Sequence, residues 1–236
     1  MDTPTYDIYL INGNITVFCG AHDENFKKDI LYSSLLGDLI TTSKRLQSPE
    51  QIFSSYANEV SRFGWIQNSR EIKRCEFSSN SLFKTIETGI GTSLTKEEKQ
   101  RLCNAFMQLK KPPTHSPVIK TVLDRLLVNS FTPGHEMHVG VSTKAPVATS
   151  TRLTIVRNNA SILTLQVAFK TTNGISMDIL DQPVLNAIRD GKTNMWLLVS
   201  SLDVREYDKI RAAVIKKMGN HVNTDLLHVQ TPNHVN

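Results

Sequence analysis

Residues 26–40, FKKDILYSSLLGDLI, are apolar around most of the circumference of the helix that their periodicity predicts. At 100° per residue, the large apolar side chains cover an arc of roughly 260°. The remaining strip carries four polar residues: Lys27, Ser34, Asp38 and Thr41. A surface helix needs an apolar stripe of only about 100°, so neighbours must cover this helix on several sides. Those neighbours belong either to the same chain or to a second copy.

Two small residues, Ser33 and Gly37, lie inside the apolar arc, and we expect another helix or strand to approach closely there. Other segments of the chain predict at least three one-sided helices and several apolar strands, which suffice to cover the helix within one domain. We therefore predict that the helix is buried within its own chain. Leu36→Asp should then destroy the fold, because a buried unpaired charge is very costly.

Composition places the chain among ordinary globular proteins. Its 236 residues include 27 basic and 22 acidic side chains, a net charge of +5, which is a smaller excess than nucleic-acid-binding domains usually carry. No apolar run reaches the roughly 18 residues of a membrane span, and the N-terminus lacks the basic start of a signal peptide. We expect a soluble cytoplasmic protein. Export by a route that needs no signal peptide remains an alternative.

The N-terminal segment predicts a β-hairpin, because two β-prone runs in residues 7–19 flank Asn12-Gly13, a dipeptide typical of tight turns. Three one-sided helices are then predicted from their N-terminal caps, at Ser48-Pro49, Thr95 and Ser116-Pro117. Asp23 or Asn25 can cap the apolar helix. Trp65-Ile66 and residues 72–84 look extended, although their alternation is weak.

After residue 131 the pattern changes to the alternation typical of strands. The candidate strands, separated by turn residues, lie at 137–141, 153–156, 163–169, 175–180 and 195–199. They favour an antiparallel sheet. An amphipathic helix from Asp203 to Gly219 and a short extended tail at 226–229 complete the chain.

The order of these elements predicts one α+β domain over residues 1–236. The domain has an N-terminal hairpin, a helical part at about 23–130 with a central buried helix, an antiparallel part at about 131–202, and a terminal helix at about 203–219. Strands at both chain ends enclose the helices, so the termini are expected to meet in a common sheet.

The densest cluster of metal-capable side chains is His135, Glu136 and His138. Its spacing is not the HExxH of zinc proteases, and in a strand the two histidines point to opposite faces. A metal site there requires a bend, and surface histidines are the simpler interpretation. We find no phosphate-binding or dinucleotide-binding loop and expect no cofactor. The three cysteines Cys19, Cys75 and Cys103 are widely spaced, which favours free thiols.

Two further patterns carry possible chemistry. Ser81-x-x-Lys84 matches the spacing of serine–lysine acyl enzymes but lacks their companion motifs, so chance is the better explanation. On the terminal helix, Arg205, Lys209 and Lys216 form a basic ridge. This ridge could bind phosphates or an acidic partner, and the simpler interpretation is that it faces solvent. Arg211 lies at the edge of the apolar stripe of that helix, where we expect a carboxylate partner or a side chain that reaches solvent.

Three functional hypotheses remain from this sequence. The first is a non-enzymatic interaction or self-assembling protein, structural or effector-like, that contacts itself or another protein. The second is a nucleic-acid-binding protein that uses the basic ridge. The third is an enzyme whose site is assembled from distant residues, in one version around the metal-capable cluster. Sequence spacing alone does not reveal such a site.

Overall fold

The computed structural model of the protein describes most of the chain. The described residues are 6–74, 77, 81–113, 115–131, 146–172, 174–176, 183–185, 187 and 194–230. Predicted strands at 137–141 and most of 175–180 lie outside them. Among the described residues, no helix is long and apolar enough to cross a membrane.

Seven strands of the described part form one mixed sheet. In chain order they are β1 (Tyr6–Ile11), β2 (Asn14–Cys19), β3 (Trp65–Lys73), β4 (Ala148–Val156), β5 (Ile162–Lys170), β6 (Met195–Leu202) and β7 (Leu226–Val229). Their spatial order is β3-β6-β5-β4-β2-β1-β7. Neighbouring strands are antiparallel except for β2 and β4, which are parallel. A parallel pair needs a long crossover, and the described residues between β2 and β4 supply one that contains five α-helices.

The helices pack against both faces of this sheet. They are α1 (Glu24–Ser43), α2 (Pro49–Arg62), α3 (Leu82–Ile90), α4 (Lys96–Leu109), α5 (Pro117–Val128), α6 (Val204–Met218) and the single turn α7 (His221–Thr224). Apolar residues of α3, α4 and α5 share one core with Ile15 and Val17 of β2. Those of α1, α2 and α6 share a second core with Phe18 of β2, which points to the other face.

The α+β prediction is confirmed, including the antiparallel β4-β5-β6 arrangement and the meeting of the first and last described strands in one sheet, where β1 pairs with β7. The caps at Asp23, Ser48, Thr95 and Ser116 also hold, each with a side-chain oxygen that accepts a backbone N–H. The hairpin turn is confirmed, with Asn12 in the left-handed region at φ 48°.

The expectation of an extended segment at 72–84 is wrong at its C-terminal end. Strand β3 ends at Lys73, and α3 begins at Leu82. Ser81 caps this helix by accepting a hydrogen bond from the backbone N–H of Lys84. Buried Leu82 and Ile86 lie one helical turn apart and pack into the first core, so tertiary burial selects a helix where alternation was weak.

The apolar helix α1 is covered by its own chain, as predicted. It lies between α2 and α6, and Ile30 and Leu35 are fully buried. A Cβ on Gly37 would lie 2.9 Å from Cγ1 of Val60, so this glycine lets α2 approach closely. Ser33 Oγ accepts a hydrogen bond of 2.9 Å from Trp65 Nε1. The two small residues therefore mark contact points between elements of the same chain.

Candidate functional site

The polar strip of α1 is buried rather than solvated. Its four residues are at most 8% exposed, and Asp38 is completely enclosed. Three of them contact polar side chains of neighbouring elements, in the pairs Lys27–Asp7 (2.6 Å), Ser34–Tyr56 (2.5 Å) and Thr41–Ser55 (3.4 Å). The strip therefore faces a buried polar layer between α1, α2 and the sheet.

The carboxylate of Asp38 is the centre of this layer. Oδ1 accepts hydrogen bonds from Arg125 Nη2 at 2.8 Å, from Asn14 Nδ2 at 3.3 Å and from Arg152 Nη2. Oδ2 accepts one from Asn12 Nδ2 at 2.7 Å. Four donors from the hairpin, α5 and β4 thus converge on one carboxylate of α1. We call these five residues the Asp38 cluster.

Arg152 is held between this carboxylate and an aromatic ring. Its guanidinium carbon lies 3.7 Å from the ring centroid of Tyr56, a cation–π contact in a desolvated place. The Tyr56 hydroxyl in turn contacts Ser34. Burial raises the pKa of Tyr56, which therefore stays neutral beside Arg152.

Arg125 reaches the cluster from the other side of the sheet. Its helix α5 packs Val122 and Leu126 into the opposite core. The arginine passes the β1–β2 turn, where a Cβ on Gly13 would lie only 2.4 Å from Cβ of Arg125. Gly13 also has φ 81°, which other residues rarely adopt. Gly13 therefore allows the tight turn of the hairpin and also leaves room for the Arg125 side chain.

The Asp38 cluster carries two guanidinium groups and one carboxylate, hence one surplus positive charge. The side chains of Arg125 and Arg152 are only 6% and 4% exposed. Burial alone raises the pKa of Asp38, but the guanidinium groups of Arg152 and Arg125 outweigh burial and hold that pKa below its usual range. Burial lowers the pKa of Arg125, although Asp38 opposes this. The carboxylate is therefore ionised, and the surplus charge remains in the cluster.

A cavity of about 470 Å³ adjoins the cluster at the C-terminal end of α1. Arg125 lines it together with Arg45, and the described lining residues include no carboxylate. Arg45 follows α1 in the left-handed region, with φ 50°. Arg125 Nη1 donates to Thr42 Oγ1 at 3.2 Å, while its buried Nε has no hydrogen-bond partner among the described residues. The cavity is thus lined by two cations, Arg45 and Arg125, and by no carboxylate of the described residues.

The Asp38 cluster was not predicted as a site. The sequence showed the polar strip that contains Asp38, but such a strip fits solvent as well as a buried polar layer. Nothing in the local spacing indicated Arg125 or Arg152 as the partners.

The proposed metal ligands His135, Glu136 and His138 lie outside the described residues. Within the described part of the chain, no three histidine, cysteine or carboxylate side chains come together as a metal site. Ser81 caps α3 and Lys84 pairs with Glu87 at 2.7 Å, so both residues of that pattern have structural roles.

The basic ridge lies on the outer face of α6. Arg205, Lys209 and Lys216 are all exposed, and Lys209 pairs with Glu206 at 2.6 Å. The expected partner of Arg211 is present: its guanidinium donates twice to the buried Asp29, at 2.8 Å each. Arg211 therefore links α6 to α1 through this ion pair and is not part of the basic ridge.

The nucleic-acid hypothesis makes a prediction at this ridge. Changing Arg205, Lys209 and Lys216 together to glutamate should reduce the affinity for duplex DNA and flatten its salt dependence, because each lost phosphate contact removes about one unit of slope. Fluorescence anisotropy over a salt series measures both quantities. An affinity that the triple variant leaves unchanged would remove the hypothesis.

Strand β3 forms one edge of the sheet. Its inner edge pairs with β6, and none of the described strands pairs with its outer edge. Residues 66–72 are exposed, including Ile66 at 51% and Ile72 at 54%. Such an edge presents a row of backbone donors and acceptors to other chains.

The position of β3 is fixed by contacts with α2. Gln67 Nε2 donates to Ser61 Oγ at 2.6 Å, and Arg70 Nη2 donates to Ser54 Oγ at 2.6 Å. A register shift between Gln67 and Ser69 leaves an unbroken pairing register from Ser69 to Lys73. The last five residues of β3 therefore form a regular, well-supported edge.

Comparisons of the chain with protein-family models, curated proteins and solved structures find no match. Two features of the described residues remain as starting points for function. One is the exposed edge of β3, and the other is the cationic cavity beside the Asp38 cluster.

Proposed function

We propose that the protein is a non-enzymatic interaction protein that self-associates through the outer edge of β3. The observation that carries this proposal is a nine-residue edge strand of which seven consecutive residues are exposed. Natural sheets usually cover, shorten or twist such an edge, because it pairs readily with other strands. A protein that functions by binding other proteins can use such an edge as its binding surface.

The last three residues of β3, Glu71-Ile72-Lys73, are complementary to themselves. In an antiparallel pair of two copies centred on Ile72, each Glu71 lies opposite Lys73 of the other copy, and the two Ile72 side chains meet. Residues directly opposite each other share a face of the sheet, so both opposite-charge pairs form on the same side. The two isoleucines, each about half exposed in one chain, become covered on the other side. The occupant that this edge favours is therefore a second copy.

Charge reversal at this edge should weaken self-association in single variants and restore it in their mixture. Within one chain Glu71 already pairs with Lys73 at 2.8 Å, and the dimer adds two pairs between the copies. Glu71→Lys or Lys73→Glu alone replaces these two attractive pairs between copies by two repulsive ones and should weaken the dimer about thirtyfold, at roughly 1 kcal/mol per pair. A 1:1 mixture of the two variants should regain wild-type affinity, because each pair then joins one lysine and one glutamate. Sedimentation equilibrium measures all three dissociation constants.

A matched control is the exposed ion pair on α6. Glu206→Lys and Lys209→Glu change the same charges away from β3 and should leave the dissociation constant unchanged. A wild-type chain that stays monomeric at millimolar concentration, or variants that associate as the wild type does, would contradict the proposal. Circular dichroism confirms that each variant is folded.

A further inference from the structure

We propose that the cavity beside the Asp38 cluster binds a small organic carboxylate with an apolar body. This site is independent of the β3 edge. The cavity volume of about 470 Å³ falls within the range of small-molecule sites, roughly 300–1,000 Å³. An inorganic anion would leave most of that space to water.

The charge of the cavity wall selects an anion. Arg125 is nine-tenths buried, and among the described residues its one carboxylate partner is Asp38, which it shares with Arg152, so the Asp38 cluster keeps a surplus charge of +1. Arg45 adds a second cation at the cavity. Burying an unmatched charge is costly, and a bound monoanion would neutralise the surplus.

The remaining lining selects the body of the ligand. Leu46, Ile52 and Val128 supply apolar surface to the same cavity. A guanidinium group binds a carboxylate with charge-assisted hydrogen bonds, while an aliphatic or aromatic chain displaces water from the apolar wall. Charge and apolar surface in one cavity are the combination that an amphipathic carboxylate requires.

The test is isothermal titration calorimetry of the full chain with octanoate, octanol and inorganic phosphate. We expect octanoate to bind at least tenfold more tightly than either of the other two. Octanol has the same chain without the charge, and phosphate has the charge without the chain. Similar affinity for octanoate and octanol, similar affinity for octanoate and phosphate, or no binding of octanoate would each overturn the proposal.

Variants locate the site without disturbing the Asp38 cluster. Arg45→Asn removes an exposed cation and keeps a residue that tolerates positive φ, and Val128→Asp adds a negative charge to the lining at a 66% exposed position. Each should weaken octanoate binding at least tenfold, whereas the neutral control Val128→Asn and the distant control Arg205→Gln should not. Unchanged binding in Arg45→Asn and Val128→Asp would overturn the proposal. Glu71→Lys should bind octanoate as the wild type does, which separates this site from self-association.

Discussion

Leu36→Asp is expected to prevent folding of the chain. Leu36 is 4% exposed within the core that α1 shares with α2, α6 and the sheet. The substitution removes a buried leucine, which costs about 2–5 kcal/mol when leucine is truncated, and places a carboxylate in apolar surroundings. The total loss should exceed about 5 kcal/mol, comparable to the whole stability of a typical domain. Near-ultraviolet circular dichroism and chemical unfolding measure this loss.

Two controls separate burial from other effects of the substitution at position 36. Leu36→Met keeps volume and polarity and should cost less than about 1.5 kcal/mol. Lys28→Asp introduces the same carboxylate at an exposed position of α1 and should leave the fold intact. A folded Leu36→Asp variant that loses less than about 2 kcal/mol would show that water reaches this face of α1.

Asp38→Asn, two positions further along the same helix, should destabilise the protein by about 3–5 kcal/mol for the opposite reason. Here the carboxylate is required, because it is the acceptor of the buried Arg125 and Arg152 groups. Removing it leaves two buried cations without a counter-charge, and removing one partner of a buried ionic group typically costs this amount. Urea unfolding at neutral pH measures the difference in free energy.

The control is Asp208→Asn, which removes an exposed carboxylate that also pairs with an arginine and should cost less than about 1 kcal/mol. Asp38→Leu combined with Arg125→Met and Arg152→Met removes all three charges and should recover most of the lost stability, as apolar replacements of buried ion clusters often do. A full loss of stability in the triple variant would show that packing, and not charge balance, is what the cluster contributes.

The pH dependence of the Asp38→Asn effect has a definite sign. The folded-state pKa of Asp38 is below its ordinary value of about 3.9, so the unfolded chain takes up the proton first as the pH falls. The stabilising contribution of Asp38 is fully present above about pH 4 and is lost as the pH falls through the folded-state pKa of Asp38. The difference in unfolding free energy between wild type and Asp38→Asn should therefore shrink in acid. A constant difference down to pH 2 would contradict this role.

Local parts of the fold were readable from the sequence because short-range chemistry determines them. A cap needs only an oxygen within three residues of a free N–H, as at Thr95, and a tight turn needs only positive φ at Asn12 and Gly13. The helix at Leu82–Ile90 was missed because its apolar residues also fit a weak strand pattern, and only burial in the first core decides between them.

The sequence by itself determined that α1 is a covered helix, since an apolar arc of roughly 260° cannot remain in water. It also placed Asp38 in the polar strip of that helix, a position that fits solvent as well as burial. Tertiary structure alone decided that Arg125 and Arg152, which are 87 and 114 residues away along the chain, reach this carboxylate. The same packing created the cationic cavity and left β3 at the edge of the sheet. Contacts at such separations depend on how the strands are ordered, and no residue spacing along the chain encodes that order.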